Sequence, residues 1–68
     1  MTTYITTPRG NKMELNGNVL SGDTFEVRDY IKKYCGGKWD KDNKVWIVDV
    51  NLVNKLLNTA GAILRRAN

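Results

Sequence analysis

Sixty-eight residues form one domain at most, and a domain of that size leaves much of its surface in water, so its core must be compact. Hydrophobic residues make up 41% of the chain and charged residues 26%, and the apolar ones fall in periodic runs, which excludes wholesale disorder. Eleven Lys and Arg against seven Asp and Glu leave a formal charge of +4, a balance that favours phosphate-rich or otherwise acidic partners.

The first third reads as strands joined by turns. Tyr4-Ile5-Thr6-Thr7 is rich in strand formers, Pro8-Arg9-Gly10-Asn11 has turn chemistry, and Lys12-Met13-Glu14-Leu15 alternates polar with apolar, so a hairpin is expected. Asn16-Gly17-Asn18 is a second turn signal, after which Val19-Leu20 either extends the strand or anchors the loop. Ser21-Gly22-Asp23-Thr24 announces a helix, capped by Asp23 or Thr24, with Glu26 at the position of a capping-box acid. Val27, Tyr30, Ile31 and Tyr34 recur at helical spacing and mark its core face; Arg28, Asp29, Lys32 and Lys33 mark the wet face. Lys32 and Lys33 also suit the negative end of the helix dipole, and Gly36-Gly37 ends the helix.

Lys38 to Val48 is two short strands around a polar turn, and the turn length decides where the tryptophans point. With Asp42-Asn43 alone as the loop, Lys41 faces Lys44 and Trp39 stands across from Trp46. With Lys41-Asp42-Asn43 as the loop, that like-charge pair disappears and Trp39 faces Val45. The second register is preferred. It puts Trp39, Val45 and Ile47 on one face and Lys38, Asp40, Lys44, Trp46 and Val48 on the other. Trp39 is then the core candidate and Trp46 the partly exposed one.

A second helix is expected over 51–66, capped by Asp49 or Asn51, with Val53, Leu56, Leu57, Ala60, Ile63 and Leu64 as its apolar stripe and Arg65 and Arg66 at its end. The order β-β-α-β-β-α predicts a single α+β domain, residues 1–68, with a small antiparallel sheet and two helices on one side.

Chemistry concentrates in one segment. From Lys32 to Trp46, five lysines (Lys32, Lys33, Lys38, Lys41 and Lys44) stand against Asp40 and Asp42, so three of the four net charges sit there, interleaved with both tryptophans. An exposed indole offers a platform for a base, and lysines beside it follow phosphates. Arg9, Lys12, Arg65 and Arg66 are candidates to extend the patch. A single cysteine, Cys35, excludes an internal disulfide, and with no histidine a conventional metal site is out of reach. Cys35 is read as a small buried hydrophobe. No phosphate loop, dinucleotide fingerprint or paired catalytic carboxylates are found, so no enzyme and no cofactor are expected. With neither a secretory leader nor a long apolar run, a cytoplasmic protein is expected.

The line "FEVRDYIKKYCGGKWDKDNKVWIV", Phe25 to Val48, resembles the HARP-like domains of annealing helicases and similar short modules of phage and plasmid proteins that process DNA. The spacing of Gly36, Gly37, Trp39, Asp40, Lys44 and Trp46 carries the resemblance, which covers about a third of the chain. It implies an α+β module attached to DNA or RNA transactions.

The expected function is thus a small basic protein that binds nucleic acid, single strands preferred. Trp46 would stack on bases, and Lys38, Lys44, Lys41, Lys33 and Lys32 would contact phosphates. The alternative is a small viral or plasmid regulator that binds a host protein through the same surface, since Trp, Tyr and Arg also anchor protein interfaces. A homodimer formed through an exposed first strand is a further expectation.

Overall fold

Alternation of side chains decides the first three elements. In the computed structural model, which describes residues 2–67, strand β1 (Thr2–Thr6) pairs antiparallel with β2 (Lys12–Asn16), Ile5 opposite Met13 and Tyr4 opposite Glu14. Met13 and Leu15 point into the core while Lys12, Glu14 and Asn16 point out. Val19-Leu20 belongs to a third strand, β3 (Val19–Gly22), which pairs with β2 across the loop Gly17-Asn18. Gly17 stands at φ 59 in the first central position, as a type II′ hairpin turn requires.

The chain enters its first helix through a short 3-10 turn, Phe25–Val27, which leads into α1 (Arg28–Tyr34). The expected side-chain cap does not form. Asp23 and Glu26 instead both accept hydrogen bonds from the Nδ2 amide of buried Asn11, at 3.1 and 2.9 Å, which pins the β1–β2 loop to the start of the helix. Val27, Ile31 and Cys35 point into the core and Tyr30 is half-buried. Tyr34, expected on the apolar face, is exposed at the end of α1, its ring tilted on that of Tyr30 at 4.6 Å.

The two glycines that follow do different work. Gly36 takes the left-handed conformation, φ 62, that turns the chain out of the helix. Gly37 donates its N–H to the Ile31 carbonyl at 3.1 Å, and a Cβ there would lie 2.5 Å from Ile31 Cγ2 and 3.2 Å from Trp46 Cε3. The helix end therefore approaches the sheet more closely than any side chain at position 37 allows.

Strands β4 (Lys38–Asp40) and β5 (Val45–Ile47) pair with Trp39 opposite Trp46 and Asp40 opposite Val45. This overturns the preferred register. The like-charge pair that argued against it never forms, because pairing stops at Asp40 and Val45 and residues 41–44 make an open loop with Lys44 at φ 55. The Asp40 carboxylate organises that loop, accepting from the Asp42 and Asn43 backbone N–H groups and from the Asn43 side-chain amide.

Helix α2 spans Val50–Leu57, shorter than expected, and is capped by Asp49, whose side chain accepts from the Asn51 N–H at 2.9 Å. The apolar periodicity continues past Leu57, but the Thr59 hydroxyl donates back to the Lys55 carbonyl and Gly61 stands at φ 82, so the helix stops. Of the expected stripe, Val53 and Leu64 are buried and Leu56 and Leu57 are half-buried, while Ala60 and Ile63 are exposed. Arg65 and Arg66 form strand β6 (Arg65–Arg66) against β1 and do not end a helix.

The result is one antiparallel sheet of order β4-β5-β3-β2-β1-β6. The α+β class stands, with β3 and β6 as strands beyond the expected order. Ile5, Met13, Leu15, Leu20 and Trp46 share one face of the sheet and join Val27, Ile31, Cys35, Val53 and Leu64 in a single core, so both helices cover the same side. The two-residue β6 covers the Ile5–Thr6 end of β1, the strand through which a dimer is expected. No helix among the described residues is long and apolar enough to cross a membrane.

Candidate functional site

The register of the β4–β5 hairpin builds the site. Cross-strand partners share a face, so both indoles lie on the helix-covered side of the sheet, 5.2 Å apart between ring centroids and tilted by 58°. Their positions in the sheet then separate them. Trp46 sits on β5, between β3 and β4, and is only 4% exposed; Trp39 sits on the edge strand and is 48% exposed. The sequence expectation assigned these roles the other way round, as followed from the wrong loop length. Trp46 is fixed from above as well, since its Nε1 donates to the Thr24 hydroxyl at 3.1 Å. That bond takes Thr24 away from helix capping and supplies the partner a buried indole N–H needs.

Between this hairpin and the start of α1 runs a groove of about 480 Å³. Gly22, Asp23 and Thr24 form one wall, Trp39 and Trp46 another, and Phe25, Arg28 and Lys32 line the helix side. Phe25 is 71% exposed, an outlay of apolar surface at the opening turn of the helix, where Val27 goes into the core instead. Arg28 lies over the Phe25 ring, Cζ 4.0 Å from its centroid, and donates to the Phe25 carbonyl at 2.7 Å. These contacts hold the guanidinium in place and leave most of its five donors free. Lys32 follows one helical turn later on the same face.

Of the six residues expected from the sequence to contact nucleic acid, Lys32 and Trp46 line this groove, the latter as buried wall. Lys38 points to the opposite face of the sheet, as alternation from Trp39 requires, and Lys41 and Lys44 are exposed on the 41–44 loop. Lys33 is exposed with its Nζ 5.4 Å from the centroid of the Tyr34 ring. Arg9 pairs with Glu26 at 3.3 Å, and Arg65 and Arg66 lie at the sheet edge farthest from β4, so they do not extend the patch. Phe25 and Arg28 are the residues sequence reading missed. Their signal was a second stripe, Phe25, Arg28 and Lys32 at i, i+3 and i+7, running beside the apolar one.

Chemically the groove offers two accessible rings and two cations. Its one carboxylate, Asp23, accepts from Asn11, and its one hydroxyl, Thr24, accepts from Trp46. Among the described residues, three titratable groups outside the groove are perturbed. Burial pushes the Cys35 thiol up to about 11 and raises Tyr30, while the Asn43 amide and the loop N–H groups lower Asp40. Among the described residues, no group of three or more His, Cys, Asp or Glu is placed to hold a metal ion.

Comparison of the chain with models of known protein families, with curated proteins and with solved structures found no match.

Proposed function

We propose that the protein is a small, non-catalytic module that binds nucleic acid with unpaired bases, through the groove between α1 and the β4–β5 hairpin. One observation carries this: the groove brings two exposed aromatic rings, Trp39 and Phe25, together with two cations, Arg28 and Lys32. A base on an exposed ring gains about 1–3 kcal/mol, and cations beside it add a salt-dependent attraction for phosphate. The resemblance of residues 25–48 to HARP-like modules, which rests on the sequence pattern alone, implies the same class of partner. A duplex is disfavoured, because the rings sit in a groove that a paired base cannot enter without unstacking.

The test is fluorescence anisotropy of a labelled single-stranded oligonucleotide at two salt concentrations, with duplex and RNA as controls. Binding should weaken with salt, and Trp39→Ala should weaken it by about 5- to 150-fold, the equivalent of one lost stack. Absence of binding at low salt would overturn the proposal. Capture of an acidic protein by the same groove would then favour the protein-interaction role.

A further inference from the structure

We propose that the groove is a slot for one nucleotide and not a track for a strand: a single nucleobase lies against Trp39 and Phe25, and its phosphate meets Arg28 and Lys32. This rests on the nucleic-acid reading above and narrows it to a ligand.

Proteins that follow a strand present a succession of rings along a charged path. The rings here are not arranged so. Of the four exposed aromatics among the described residues, only Phe25 and Trp39 line the groove. Tyr4 stands opposite Glu14 on the uncovered face of the sheet, and Tyr34 sits at the other end of α1. The charges repeat the pattern. Lys38 is on the far face and Lys41 and Lys44 are on the hairpin loop, so among the described residues Arg28 and Lys32 are the cations that line the groove. A volume of about 480 Å³ is that of a small-ligand site.

The signs of the charges also select among flat ligands. Three aromatic residues and an acid could resemble a cage for a quaternary ammonium group. Arg28 and Lys32 outweigh Asp23, whose carboxylate is already engaged by Asn11, so the groove favours an anion on its aromatic ligand. A nucleobase carrying phosphate meets both demands. It could come from an unpaired position in a strand or from a free nucleotide, and the same titration separates these sources.

The intrinsic fluorescence of the full chain would be titrated with a nucleoside monophosphate, its nucleoside, inorganic phosphate, and oligonucleotides of increasing length. The monophosphate should quench emission to the same extent as the oligonucleotides, and the nucleoside should bind about fivefold more weakly. Arg28→Gln combined with Lys32→Gln, both exposed and checked for folding by circular dichroism, should close that gap. In Trp39→Phe the quenching amplitude should fall, because the remaining emission comes from buried Trp46. The slope of log affinity against log salt for oligonucleotides should be about −0.7, the value for one neutralised phosphate on a single strand, and not about −3.5 as five phosphates held by all five lysines would produce. Saturation by the monophosphate without oligonucleotide binding would assign the slot to free nucleotides. Quenching by long oligonucleotides alone, with no response to the monophosphate, would overturn the slot and leave the nucleic-acid function standing. No response to any of them would overturn both.

Discussion

Gly37→Ala tests the close packing of the end of α1 against Trp46, one wall of the groove. The backbone of Gly37 is not left-handed, so alanine has no conformational objection, and by restricting the unfolded chain it should stabilise by about 0.4–1 kcal/mol. Sterics oppose this. The new Cβ would lie 2.5 Å from Ile31 Cγ2, 3.1 Å from the Ile31 carbonyl oxygen and 3.2 Å from Trp46 Cε3. Carbon atoms sit comfortably at about 3.5–4.0 Å, so the closest contact overlaps by about 1 Å. Both neighbours are buried and cannot swing away. Overpacking of this kind costs about 1–3 kcal/mol, a range that nets to about 0–2.6 kcal/mol of loss, and an overlap of about 1 Å between buried groups puts the expected loss in the upper half of it, at about 1.3–2.6 kcal/mol. For a domain of this size that lowers the melting temperature by several degrees, about 4–8 °C per kcal/mol. Urea denaturation followed by far-UV circular dichroism would measure it. Because leucine lacks the Cγ2 methyl, Ile31→Leu should recover part of the loss in the double variant, a coupling of at least about 0.5 kcal/mol. A Gly37→Ala protein as stable as the parent, or one indifferent to Ile31→Leu, would refute the close approach of helix and sheet.

The two tryptophans should separate sharply in stability. Trp46→Ala should cost about 3–5 kcal/mol, against a total of about 3–10 kcal/mol for a chain this long, whereas Trp39→Ala should cost about 1–2 kcal/mol; equal losses in urea denaturation would contradict the burial assigned to them. Cys35 holds its proton to about pH 11 in the folded state, above the ordinary thiol value of about 8.5. Its contribution is therefore complete below that ordinary value and is lost as pH rises toward 11, because only the unfolded thiol ionises in between. Cys35→Ala should lose less stability than the parent over that range, and native Cys35 should resist alkylation at pH 8 until urea is added. Asp40 should titrate below an ordinary aspartate by NMR, with its contribution present above the unfolded value and lost as pH falls through the folded one. Asn43→Ala should move that titration upward, since the Asn43 side chain is its main hydrogen-bond donor.

Local patterns read well in this sequence and long-range ones did not. The alternation of Met13 and Leu15, the glycine stop at Gly36 and the Asp49 cap are decided within a few residues, and each appears in the structure. Helix α2 is shorter than its periodicity suggests because Ala60, Ile63 and Leu64 keep the helical period after the chain has left the helix; Leu64 enters the same core from the approach to a strand. That strand pairs only through contact with distant Ile5 and Thr6, which no local pattern announces. The two tryptophans exchange their expected roles for a similar reason. Avoiding a Lys41–Lys44 pair was sound physics, but the chain avoids it by opening the loop around the Asp40 carboxylate, not by shifting register. Half of the groove, Phe25 and Arg28, lay outside the segment where charge and tryptophan cluster, and only the tertiary fold brings it opposite Trp39.

The central claim is that the groove, and not the lysine-bearing loop and outer face, is where nucleic acid binds. NMR of the ¹⁵N-labelled chain during titration with a short single-stranded oligonucleotide tests this residue by residue. The largest shifts should fall on Phe25, Arg28, Lys32 and the Trp39 indole N–H, with Tyr4, Lys12 and Lys38 on the outer face unmoved. Shifts confined to Lys38, Lys41, Lys44 and the outer face, with Phe25 and Trp39 silent, would contradict it.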